Sequence, residues 1–210
     1  NRLGQGGSLL FDPLDVTIDA PKAANIVTQL DLGADVEVNT VGANTGAGDI
    51  TVASAVVAAP TSTATLTLDA DNSIFVNTGQ NIDVGAGSLF LNASNDVSVD
   101  ATLVAGGGAG NSRIGITANG GSLTLQTKGV IELFGNASAK IVAQGFVNNS
   151  SFGAIRPGLG ATGTSWQIAL PQLAGGGGVI NKFGALDSLN QAVYGSTGTE
   201  TFTANEYHFA

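Results

Sequence analysis

A chain of 210 residues, 43% hydrophobic and only 11% charged, carries enough apolar material for one sizeable core or one length of solenoid. Its net charge is −9 and its 7 basic residues are scattered, which excludes the grouped phosphate contacts needed for nucleic acid or an anionic membrane surface. The absence of cysteine excludes a disulfide scaffold and thiol chemistry, and no apolar run approaches the roughly 18 residues of a membrane span, so no membrane insertion is expected.

Glycine, at 31 residues, is about twice its usual share, yet with only 5 prolines the glycines do not mark a disordered linker. Val, Ile, Leu, Thr and Asn dominate the rest, a mixture that favours strands and tight corners. With Asn1 in first position, the chain is expected to begin inside a longer protein or after processing, and the targeting signal of a secreted protein would lie upstream.

In chain order, short alternating segments recur: VTI (16–18), DVEV (35–38), DITV (49–52), TLTL (65–68), SIFV (73–76), NIDV (81–84), SLFL (88–91), DVSV (96–99), RIGI (113–116), SLTL (122–125) and VIEL (130–133). Most have the period of two expected of a half-buried strand: Val36 and Val38 face one side and Glu37 the other, Val97 and Val99 flank an outward Ser98. The separators, such as DADN (69–72), NTGQN (77–81), GAG (85–87) and NASND (92–96), are too short for a crossover helix. They are built from residues that make tight corners.

A longer repeat lies above this one. The units beginning at Thr65, Ser88 and Ser122 each read S/T-L-x-L, a polar corner, a second apolar strand and another corner. Such a unit suits one turn of a β-solenoid, whose coils stack about 4.8 Å apart. Leu66, Leu89 and Leu123 are expected to form one inward ladder and Leu68, Leu91 and Leu125 a second. The fold class is therefore all-β: a right-handed parallel β-helix (β-solenoid) with an irregular C-terminal capping region. Residues 1–147 would form the coils and 148–210, which lose the regular spacing, a β-rich capping or extension region.

The wording of the repeats resembles the filamentous-haemagglutinin type of two-partner-secreted exoproteins. GSLLFDPLDVTI (7–18) is similar to that family's D-P-x-D-I-T-I segment, and NTGAGDITVASAV (44–56), TLTLDADNSIFV (65–76) and SLFLNASNDVSV (88–99) are similar to its coils. SWQIALP (165–171), FGALDSLNQAVYG (183–195) and NEYHFA (205–210) resemble the region that follows its helix. The resemblance implies a large bacterial adhesin, export by an outer-membrane secretion partner, and secretion or display at the bacterial cell surface.

Catalytic patterns are weak. His208, in a strand-like Tyr-His-Phe segment near the chain end, reads as a solvated or packed histidine, because a triad needs a supported base. Asp69, Asp71 and Asn72 have the composition of a weak Ca²⁺ site, but the corner reading, with Asx side chains bonding local backbone, is preferred; Asp12, Asp15 and Asp19 read the same way. Gly158-Leu-Gly160-Ala-Thr-Gly163 matches the dinucleotide fingerprint only in letters, since Pro157 precedes it and a β-like segment follows. The sequons at Asn92, Asn136, Asn148 and Asn149 read as chance occurrences in an Asn- and Ser-rich chain.

The rival to an adhesin is a carbohydrate-active β-helix, a polysaccharide lyase or hydrolase. It needs opposed carboxylates or clustered arginines, and Arg113-Ile114-Gly115 is only a partial echo of such motifs. The expected function is thus a structural and adhesive segment, not an enzyme, with no cofactor or metal and with a host-cell glycan or protein as partner. If the segment makes contact itself, the expected surface comprises Phe75, Phe90 and Phe134 on outward positions and the glycine-rich corner Gly106, Gly107 and Gly108.

Overall fold

The computed structural model describes residues 15–40, 47–107, 111–151, 155–158, 164–170, 180–181, 191–194 and 206–209. The chain begins with β1 (Val16–Ile18) and a helix, α1 (Ala20–Asp31). Then come β2 (Val36–Asn39), β3 (Ile50–Val52), β4 (Val56–Val57), β5 (Thr65–Ala70), β6 (Ile74–Val76) and β7 (Ile82–Asp83). They are followed by β8 (Ser88–Ala93), β9 (Val97–Val99), β10 (Thr102–Ala105), β11 (Arg113–Leu125), β12 (Val130–Leu133) and β13 (Ser138–Asn148). Beyond these lie β14 (Ile155–Pro157), β15 (Ser165–Leu170), β16 (Ile180–Asn181), β17 (Gln191–Tyr194) and β18 (Glu206–Phe209).

Every pairing among these strands is parallel, and successive partners lie one coil apart. The chain is a parallel β-helix with three faces. The first face stacks β2, β5, β8, the first half of β11, the first half of β13, and β15. The second stacks β1, β3, β6, β9 and the second halves of β11 and β13, with β16 beyond. The third is β4, β7, β10, β12 and β14. Pairing runs past residue 147: β14 and β15 continue the third and first faces, and β18 and β17 extend the first.

The alternation expected from the sequence is what closes this coil. Inward positions are mostly aliphatic and buried, with Phe146 and Trp166 as aromatic members, and outward ones are half-buried or exposed, as in the buried–half-buried alternation of β5 and β8. On the first face Val36, Leu66, Leu89 and Ile114 stack in register, as do Val38, Leu68, Leu91 and Ile116. Each such side chain contributes about 1.5–3 kcal/mol when fully buried. Neighbouring coils supply that burial, so stability is shared between coils.

Two expectations need correction. Leu123 and Leu125 do not stack over Leu89 and Leu91; they stand over Val97 and Val99 on the second face. Their place on the first face is taken by Ile114 and Ile116. The reason is that β11 turns a corner without losing its pairing: its register to β13 shifts between Ala118 and Ser122, where Gly120 and Gly121 lie close against the backbone of Ser94 and Asn95. The unit after Ser88 therefore begins at Arg113, not at Ser122.

The second correction is α1. Asp19 is its N-cap, accepting a hydrogen bond from Lys22 N at 3.1 Å, and Pro21 sits in its first turn. Ala23, Ile26 and Leu30 recur at helical spacing and are buried. The helix occupies the place on the third face that a strand would hold before β4. Asp31 Oδ1 accepts from Ala59 N at 2.7 Å and Ser62 Oγ donates to Leu30 O at 2.7 Å. It thereby covers the edge of the third sheet, an edge that would otherwise offer unpaired backbone groups.

Corners are tied to the next coil by Asx side chains. Asp15 Oδ1 accepts from Asp49 N at 2.9 Å, Asp49 Oδ1 from Ser73 N at 3.0 Å, and Asp96 Oδ1 from Ser122 N at 2.7 Å. At the next corner Asn81 Oδ1 accepts from Thr102 N and Asp100 Oδ1 from Lys128 N. Hydrogen bonding by Thr78 Oγ1 and by Lys128 N holds the Asp100 carboxyl below the usual carboxylate range.

Candidate functional site

The first face presents three outward columns. The central one runs Glu37, Thr67, Phe90, Gly115, Lys140 and Gln167, one residue per coil. A flanking column runs Asn39, Asp69, Asn92, Thr117 and Val142, and the other includes Ser88, Ser138 and Ser165, with Arg113 in register with Ser138. Charge is segregated along this face. Glu37 and Asp69 lie toward β2 and β5, whereas Arg113 and Lys140 lie on β11 and β13.

A groove over the basic region runs from Phe90 on β8 across Gly115 to Gln167 on β15. A Cβ built on Gly115 would lie 2.5 Å from Phe90 Cδ1, so the ring leans over the glycine. Beside the ring lies a depression of about 430 Å³. Phe90 and Gly115 form part of its wall, the exposed Arg113 and Lys140 stand on it, and Ser138, Ser165, Thr117 and Gln167 add hydrogen-bonding groups. Among the described residues neither cation has a carboxylate within ion-pair distance, whereas Lys22 pairs with Asp19 at 3.2 Å and Arg156 with Glu132 at 3.4 Å.

The other expected contact residues are not brought to this groove. Phe75 lies on the second face between Thr51 and Ser98 and is 37% exposed. Phe134 follows β12 on the third face, and its ring packs against Gly158, where an added Cβ would lie 2.2 Å from Cε1. The three phenylalanines thus sit on three faces and form no common patch. Gly106 and Gly107 donate to Gly85 O from a corner of the coil at 2.8 and 2.9 Å. Gly106, with φ +99°, is packed against Phe134 O, which makes it a structural corner. Gly108 lies outside the described residues, as do Asp12 and residues 159–163 of the glycine-rich fingerprint. His208 lies in β18, in register with Ala169 and Val193, and its side chain is outside the described set.

Asp69, Asp71 and Asn72 do not converge on a common point. Asp71 is exposed, and the Asn72 side chain bonds across coils, donating to Asp49 Oδ1 at 2.7 Å and accepting from Asn95 Nδ2. The local Asx turn expected for Asn72 is therefore an inter-coil ladder. Among the described residues no three His, Asp or Glu side chains gather as a metal ion requires. Of the sequons, Asn148 is buried and its Oδ1 accepts from Ser150 N, which leaves no room for a sugar.

Burial, and then the Glu37 charge, push the Asp69 carboxyl above the usual aspartate range. An acid whose pKa is raised on folding favours the fold when protonated, so stability falls as pH rises from the ordinary value near 3.8 through the raised one. Asp69→Asn is expected to raise the melting temperature at neutral pH, with the gain vanishing below the ordinary aspartate pKa. Thermal denaturation across that range, followed by circular dichroism, checks this. A variant less stable at neutral pH would mean that the carboxylate is held by favourable contacts.

No protein-family model, curated protein or solved structure matches the chain. No described helix is long and apolar enough to cross a membrane.

Proposed function

We propose that the chain is a structural and adhesive segment of a large bacterial exoprotein, secreted or held at the cell surface, of the filamentous-haemagglutinin kind that its opening segment and tail resemble. The carrying observation is the continuous parallel pairing of the three faces from coil to coil, with corners such as Asp49 and Asp96 bonded to the coil beyond. Such stacking makes a stiff rod that lengthens by repetition and leaves its outward columns free for contact. Strands are committed to stacking, so recognition falls to outward side chains and corners, and export through an outer-membrane partner suits a cysteine-free chain whose coils are added one by one.

A polysaccharide lyase or hydrolase is the second reading. It is favoured by the Asp69 carboxyl, whose raised pKa stands beside Glu37 on the face that carries the groove. One experiment separates the two. The immobilised chain is offered host epithelial cells, and in parallel the soluble chain is incubated with acidic and neutral polysaccharides while reducing ends and unsaturated products are followed. Adhesion predicts saturable attachment that survives chelation, with no product. Product formation without attachment would overturn the adhesive reading.

A further inference from the structure

We infer that the groove over Gly115 is a binding site for a carboxylated glycan, a chain of uronic-acid type. The inference names the partner of the adhesive segment and rests on that reading only for the setting in which the glycan is met. Three observations carry it. First, the Phe90 ring lies across Gly115, where the outward column has no side chain, and walls a depression of about 430 Å³. An aromatic wall beside a shallow polar cleft suits the apolar face of a pyranose ring, whose hydroxyls then point at Ser138, Ser165 and Gln167.

Second, Arg113 and Lys140 converge there, with no carboxylate partner among the described residues, in a chain of net charge −9. Arg113 is two positions along the strand from Gly115, and Lys140 is one coil above it. Strand rise and coil spacing put their backbone positions about 8 Å apart. Two cations so placed meet successive or bridging carboxylates, and the planar guanidinium fork matches one carboxylate bidentately.

Third, the acidic positions of the same face, Glu37 and Asp69, lie on the far side of Phe90. A polyanionic chain is therefore held at the Arg113 end and repelled from the other, which sets the direction in which it lies on the face.

The test uses the full chain with polygalacturonate oligomers as probe, neutral dextran as control and dextran sulfate as competitor, followed by calorimetry at low and moderate salt. The parent is expected to bind polygalacturonate, less tightly as salt rises, and to ignore dextran. Arg113→Gln and Lys140→Gln should each weaken binding roughly tenfold or more, the loss of one hydrogen bond to a charged group. Their melting temperatures should not change, since both side chains are exposed. Lys128→Gln, which removes an exposed cation at another corner, should bind as the parent does. Absence of polygalacturonate binding by the parent, binding to dextran sulfate alone, or equal weakening by Lys128→Gln overturns the inference. Cell attachment by a parent that fails to bind the uronan sinks the groove and leaves the adhesive reading standing. Uronan binding without cell attachment or cleavage does the reverse.

Discussion

Leu89→Asp is expected to abolish the cooperative thermal transition of the chain, whereas Ser98→Asp should melt within experimental error of the parent. Leu89 is fully buried, with Leu66 in the coil before it and Ile114 in the coil after it. Replacing it removes about 1.5–3 kcal/mol of burial and places an unpaired carboxylate among aliphatic neighbours, which costs several kcal/mol more. The sum rivals the whole stability of an ordinary domain, about 5–15 kcal/mol. Ser98 stands in the same coil, on the next face, but it points outward, where its Oγ accepts from Gln126 Nε2 at 3.2 Å. Changes at such positions stay within about ±0.5 kcal/mol. Circular dichroism melts of both variants check the pair. Equal melting temperatures would mean that the inward column has been misassigned.

The second large effect is expected at a glycine. Gly106 has φ +99°, and a Cβ there would lie 2.1 Å from Phe134 O and 2.8 Å from Ala137 Cβ. Alanine would be strained by its backbone angle, at about 1–3 kcal/mol. It would also force apart two coils whose spacing is fixed by strand pairing on either side of the corner. Gly106→Ala should therefore lower the melting temperature by well over what strain alone gives. Gly79→Ala, at φ +72° but with nothing within 4 Å, should show the strain alone. The difference between the two variants, read from chemical denaturation, measures the close approach. If they are equally destabilised, the corner has room to relax.

Inward and outward assignments were legible in the sequence because a period of two is a local property: Leu66, Leu68, Leu89, Leu91, Val97 and Val99 are all buried as their spacing implies. Which coil a strand joins is not local. SLTL (122–125) has the wording of TLTL (65–68) but sits on a different face, because β11 bends at Gly120 and Gly121 and keeps its pairing. Local wording identifies a strand; only the accumulated length of the preceding corners says where it lands. Helix α1 had its own signals, an Asp19 cap, Pro21 and apolar residues at 23, 26 and 30, but they stand in a single turn among strand repeats.

The groove was out of reach for the same reason. Phe90, Arg113, Lys140 and Gln167 are spaced by roughly one coil each and become neighbours only once the register is known. Phe90 was recognisable as an outward aromatic. Its partner Gly115, over which the ring lies, was not, since a glycine in a strand carries no sign of what lies above it.

The corner carboxylates and carboxamides have a consequence under load. They tie each coil to its neighbour at the corners, while the backbone pairing runs parallel to the rod's long axis. A pull along that axis at one end therefore tests one coil at a time, like opening a zipper. Between β1 and β15, positions paired one coil apart are 21 to 34 residues apart in sequence, so each coil released adds roughly 70 to 115 Å of slack chain. A rod that yields in such steps absorbs a sudden tug by lengthening while the remaining coils stay wound.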